Sequence, residues 1–354
     1  NIHEGITTLM ASMIHNDLID GVITSSAVIN HEMSGALDLV HRVSLDDLPD
    51  LEMPQARDAY LEATILTEKQ LEYLKEEMQI DIRYYDQIIN APGKDIIKAA
   101  GNMAYPMGLR TEKLAREVQA IAVGLDLPFE MVAGWGADPN TMLGAAARKD
   151  IPMLVGVPQL VGGGAVGLAV GDTLPISERS TRIAHMLASA DVIIESAVAL
   201  TQEIHDGPFE TYTGHGIWSH WQGHWTFSSA EKTLIRIDLD PNILRAWQFE
   251  QESGTVSRAI AEGLPKTKLM DVPFRMEMSG FARLPGSLPI VGDIGVIWPL
   301  LAAEISEGLG CLMDFYSYPQ NSENGKKMRE WIVQEVKPIN RAFMLKKARN
   351  FWKD

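Results

Sequence analysis

Residues 20–26 read Asp20-Gly21-Val22-Ile23-Thr24-Ser25-Ser26, a short β-branched run that opens on Asp-Gly and closes on small polar residues. Just before it, Ile6, Leu9, Met10, Met13 and Ile14 recur at helical spacing and predict an amphipathic helix over 6–14. A second helical stretch follows within a few residues. Helix, strand, small-residue turn and helix in this order make one unit of a parallel α/β sheet, whose strands are buried on both faces and read as continuous apolar runs.

The same kind of run recurs at Ile151–Gly156, Asp191–Glu195, Leu234–Asp238 and Pro289–Asp293. Together with the first, these runs predict an α/β fold: a doubly wound, mostly parallel sheet with helices on both faces, Rossmann-like, in a single domain spanning 1–354. Two insertions interrupt it. Residues 45–115 read as mostly helical, with Leu61–Ile80 the strongest stretch, and residues 207–229 form a loop rich in His and Trp. Pro241, behind Asp240 as cap, predicts a helix start, and Phe343–Trp352 predicts a basic helix carrying Lys346, Lys347 and Arg349. Such a cluster is expected to dock on an acidic face of its own fold or of a sister subunit.

The chain carries 31 basic and 47 acidic residues among 354, a formal charge of −16. A surface that negative repels phosphate backbones and anionic headgroups, so neither nucleic acid nor a membrane is an expected partner. The charge-free run 151–171 is long enough to span a bilayer, but its prolines and glycines favour a buried strand leading into a glycine loop. One cysteine, Cys311, allows no internal disulfide, which points to a cytoplasmic protein with a buried thiol.

In an open parallel sheet, ligands sit beyond the carboxyl ends of the strands. Ser25, Ser26, His31 and Glu32 follow the first run. Gly162, Gly163 and Gly164 follow the second, as a phosphate-cradling loop or a plain tight turn. Asp238 and Asp240 end a later strand, where an acidic residue would accept from ribose hydroxyls, and for Asp240 the alternative reading is the cap of the helix that Pro241 opens. The segment 203–225 concentrates Glu203, His205, Asp206, Glu210, His215, Trp218, His220, Trp221, His224 and Trp225. Imidazoles beside carboxylates suit proton transfer near neutral pH, zinc binding through His220 and His224, or a purely structural aromatic loop.

Three segments occur in order: Asn16–Ser25 leading to His31-Glu32, then Ala190–Ile194 continuing to Gln202-Glu203-Ile204-His205-Asp206-Gly207, then Asp293-Ile294-Gly295-Val296-Ile297-Trp298-Pro299-Leu300-Leu301. Together they resemble the deoxyhypusine synthase family. A second likeness, through Ile151-Pro152-Met153, Ala190-Asp191 and Ile237-Asp238-Leu239-Asp240-Pro241, is to the central domain of thiamine-diphosphate enzymes and to NAD-dependent archaeal ornithine cyclodeaminases. The resemblance implies an NAD site lined by Ser25, Ser26, Asp206, Gly207, Asp293 and Ile294, with Glu32, Gly162, Gly163, Gly164 and Asp238 as further cofactor-binding candidates. It also implies a homo-oligomer, a tetramer or dimer. Where that family carries its catalytic lysine, this chain reads Trp218-Ser219-His220.

The expected function is therefore NAD-dependent oxidation of, or transfer from, a small amine, amino acid or polyamine-like substrate. His220 or His205 would take a proton, Glu203 or Asp206 would hold the cationic substrate, and Trp218 and His215 would complete its pocket. The alternatives are a non-catalytic nucleotide-binding protein of the same fold and a metal-dependent hydrolase built on the His-rich loop.

Overall fold

A computed structural model of the chain describes residues 4–36, 40–44, 60–65, 72, 95–97, 107–157, 163–196, 228–265, 267–277 and 279–353. Helix α1, Ile6–His15, buries its apolar residues and much of the rest of its surface. Asn16 closes it by donating from Nδ2 to the Ser12 carbonyl at 2.8 Å. Strand β1, Val22–Ser25, leads directly into α2, Ser26–Met33.

The five expected parallel strands all form. Strand β5, Met153–Val157, pairs in parallel with β1, from Val22 opposite Met153 to Ser25 opposite Val157. Strands β6 (Val192–Ser196), β7 (Thr233–Asp238) and β8 (Ser287–Val291) form a second parallel sheet in that order, with Glu195 opposite Arg236 and Arg236 opposite Pro289. The molecule is thus mixed α/β. Among the described residues its parallel strands are divided between two small sheets rather than joined in one.

The outer edge of β5 has a physical reason to stop there. The Val155 amide donates to Glu130 Oε1 at 2.7 Å, and its carbonyl accepts from Arg179 Nη1 at 3.2 Å. These are the two main-chain groups that a further strand on that edge would take. Glu130 and Arg179 pair with each other at 2.6 Å and are almost fully buried.

The helical reading of 45–115 is corrected in part. Tyr60–Ile65 is strand β3, antiparallel between β2 (Val40–Ser44) and β4 (Asp95–Ile97), with Val40 opposite Thr64 and Ala63 opposite Ile97. The helix expected over Leu61–Ile80 therefore does not begin at Leu61. Cross-strand pairing with residues some twenty positions upstream outweighs a local helical preference worth only tenths of a kcal/mol per residue, about 0.7 at most. The rest of that stretch up to α3 lies almost wholly outside the described residues.

Helix α3, Met107–Leu125, is followed by α4 (Phe129–Gly136) and α5 (Met142–Lys149). Between β5 and β6 lie α6, Gly164–Gly171, and α7, Ile176–Ser189. After β7 come α8 (Asn242–Ser253), α9 (Thr255–Glu262) and a short α10 (Phe274–Glu277); after β8 come α11 (Ile294–Gly308), α12 (Glu323–Glu335) and α13 (Arg341–Phe351). The charge-free run 151–171 thus holds strand β5 and helix α6, and no helix among the described residues is long and apolar enough to cross a membrane.

One core cluster joins Leu9 and Ile14 of α1, Val155 of β5, Val170 of α6, Ile237 of β7 and Trp298 of α11. A smaller one sets Ile183, Ala184 and Leu187 of α7 against Leu154 of β5 and Ile193 of β6, with Ile23 of β1 beside them. Cys311 is half-buried, its Sγ 3.5 Å from Asn16 Oδ1.

Candidate functional site

Four helices start at or just beyond the carboxyl ends of the parallel strands, and they start in two different ways. After β1, α2 begins behind Ser25, whose hydroxyl makes no capping bond. After β5, α6 begins behind Gly163, again without a side-chain cap. Gly164 has φ +51°, the left-handed region that glycine enters without the strain a side chain brings. A Cβ added there would stand 3.0 Å from Glu112 Oε1, so this carboxylate lies beside the helix start.

The other pair is closed. Beyond β7, Asp240 Oδ1 accepts from the Asn242 amide at 3.0 Å, and beyond β8, Asp293 Oδ1 accepts from the Gly295 amide at 2.7 Å. A Cβ at Gly295 would collide with the carboxylate of Glu4, which places a second acid at the start of α11. From α11, Trp298 Nε1 reaches Ser196 Oγ at 3.3 Å, tying the end of β6 to the helix that follows β8. Four donors at each helix start lack main-chain partners, so a bare start retains the capacity to bind an anion and a capped one has spent part of it.

Two expected cofactor residues turn inward. Glu32 is fully buried on α2, and its Oε1 and Oε2 accept from the amides of Met142 at 3.0 Å and Leu143 at 2.8 Å, the first residues of α5. Thr141 Oγ1 takes the Gly144 amide at 3.0 Å, so the start of α5 is held from both sides. Burial pushes the Glu32 carboxyl up to about 8, against the pull of the two amides, which favour the charged form. Glu32 is a clamp for a helix rather than a ligand-facing acid.

Asp238 is likewise buried. Its Oδ2 pairs with Arg236 Nη2 at 3.0 Å and its Oδ1 accepts from the Asp240 amide at 3.0 Å. The expected ribose contact is thereby corrected to a turn support whose two oxygens are already engaged. Arg236 lies under the Phe281 ring at 5.8 Å and, in register, beside the buried Glu195. Sequence reasoning passed over this buried group. Its signal is an arginine inside the apolar run Leu234-Ile235-Arg236-Ile237.

Ser25 is half-buried, Ser26 buried, Ile294 half-buried and Asp293 exposed, all four at helix starts beyond the strands. Gly163 and Gly164 occupy the start of α6, while Gly162 lies outside the described residues. So do Glu203, His205, Asp206, Gly207, His215, Trp218 and His220, which belong to the segment that leaves β6 after Ser196. No group of three or more His, Cys, Asp or Glu suited to a metal occurs among the described residues. Compared with protein-family models, curated proteins and solved structures, the chain gives no match in any of the three.

Proposed function

We propose that the chain is an NAD-dependent enzyme of the deoxyhypusine synthase type, oxidising or transferring from a small amine, amino acid or polyamine-like substrate. The observation that carries this proposal is the contrast just described, with two uncapped helix starts beyond β1 and β5 beside two carboxylate-capped ones beyond β7 and β8.

The residues present fit a dinucleotide. Helix starts without a side-chain cap, behind Ser25 and behind glycines that add no side chain, suit a diphosphate. The exposed Asp293 and the nearby Glu4 suit hydroxyls or a cationic group. When bound, NAD would supply hydride acceptance. His220 or His205 would hold the proton leaving the substrate, and Glu203 or Asp206 would orient its ammonium.

The proposal includes one doubly wound sheet in the order β5-β1-β6-β7-β8. In support, the far edge of β5 is already taken by Glu130 and Arg179, leaving β1 as the side on which β6 would join. Helix α7 spans β5, β1 and β6 through Leu154, Ile23 and Ile193, as a crossover from β5 to β6 over β1 requires. The switch point would then lie between Ser25 and Ser196, where such sheets bind their ligands.

A cytoplasmic homo-oligomer completes the proposal. In support, Lys346, Lys347 and Arg349 of α13 are exposed and carry no ion pair among the described residues, so they remain available to an acidic neighbour.

Calorimetry with NAD tests the whole: binding is expected, and no heat at millimolar cofactor would overturn it. His220→Ala should abolish turnover of an amine panel while leaving NAD affinity nearly unchanged. Tight NAD binding with no hydride exchange across that panel would favour a non-catalytic nucleotide-binding protein instead.

A further inference from the structure

On α12, Asn324, Lys327, Met328 and Trp331 fall at i, i+3, i+4 and i+7, which sets them on one stripe of the helix. Facing that stripe is the segment Asp314–Tyr318, and between the two lies an open cavity of about 500 Å³, within the range of small-molecule pockets. Trp331 and Phe315 stand with ring centroids 5.4 Å apart, and both Trp331 and Tyr318 are about two-fifths exposed. Lys327 and Asp314 are exposed, and neither has a hydrogen-bond or ion-pair partner among the described residues. None of these residues belongs to the carboxyl-end site.

We infer that this cavity binds an aromatic α-amino acid as its zwitterion. Aromatic walls favour a planar ring, through stacking and edge contacts worth about 0.5–1.5 kcal/mol beyond burial alone. One free ammonium and one free carboxylate at the same cavity match the two charges of an amino acid. A nucleotide, by contrast, would meet Asp314 as an unmatched negative charge. The Asn324 amide, with no partner of its own, adds a neutral donor and acceptor.

The inference stands independently of NAD binding and is tested on the whole chain by calorimetry. L-phenylalanine is expected to bind, with phenethylamine and 3-phenylpropionate, which each lack one charge, about tenfold weaker or more. Trp331→Ala should weaken L-phenylalanine at least about tenfold. Lys327→Met, an exposed change that leaves the fold intact, should weaken L-phenylalanine but leave phenethylamine unaffected. No heat from L-phenylalanine at about 10 mM, where only a Kd far weaker than 1 mM would go unseen, would overturn the inference. So would equal affinity in the Lys327→Met protein, or tighter binding of AMP competing at the same cavity.

Discussion

Beyond β1 and β5 the helices start behind Ser25 and Gly163 with no side chain capping them, whereas beyond β7 and β8 they start behind Asp240 and Asp293, each of whose carboxylates takes a helix amide. The first unit is not short of acids. Two of them lie behind the surface, where Glu32 clamps α5 and Glu130 closes the edge of β5, while a third, Glu112, stands exposed beside Gly164. One topological position is thus built in two ways: in the second unit a carboxylate takes an amide of the helix start, and in the first the start carries no side-chain cap.

If the buried acids of the first unit are structural, the largest effect should come from Arg179. Arg179→Met leaves the buried Glu130 without its partner and is expected to cost about 3–5 kcal/mol in urea unfolding. Lys326→Met, which breaks the exposed pair with Glu323 at 2.8 Å, should cost under about 1 kcal/mol. A loss of that small size at Arg179 would mean the β5 edge is held by something else.

Glu32 gives a pH signature. Its folded pKa of about 8 lies above the ordinary 4.5, so the native state binds the proton more tightly than the unfolded chain. The stability this contributes is complete below about pH 4.5 and declines by up to about 1.4 kcal/mol per unit as pH rises toward 8. Glu32→Gln cannot titrate. Wild-type stability should fall relative to this variant from pH 6 to pH 9, and a difference that stays constant would show that the two α5 amides keep Glu32 ionised.

A smaller effect separates the helix starts themselves. Asp293→Ala should cost about 1 kcal/mol through the lost cap, and Ser25→Ala less than about 0.5, since Ser25 caps nothing. Equal losses in denaturant titration would remove the distinction between the two units.

The parallel strands are legible in the sequence because each is a short apolar run whose burial needs no partner to be named. The start of α8 is legible too, since Asp240, read as its cap, acts on an amide two residues away; Asp293 does the same at α11, where the resemblance implied only a cofactor contact. What eludes such reading depends on distant residues. Glu32 looks like a ligand-facing acid until Met142 and Leu143, more than a hundred positions on, are brought to it. Asp238 misleads in the same way, because its partner Arg236 is hidden in an apolar run that implies no charge. Tyr60–Ile65 carries a local helical pattern that loses to pairing with Val40–Ser44.

The finest test of the contrast concerns Glu112, the exposed carboxylate beside Gly164. An acid near an uncapped helix start interacts favourably with its partial positive charge, by about 0.3–1 kcal/mol. A diphosphate seated on the same amides would instead be repelled by it. Glu112→Gln should therefore act with opposite signs on the two quantities, lowering the melting stability slightly while tightening NAD by about two- to fivefold at low salt. The gain should fade at about 0.5 M salt, where exposed charges are screened within a few ångströms. If the substitution leaves NAD affinity unchanged at low salt, α6 does not hold the phosphates, and its bare start differs from that of α11 in stability alone.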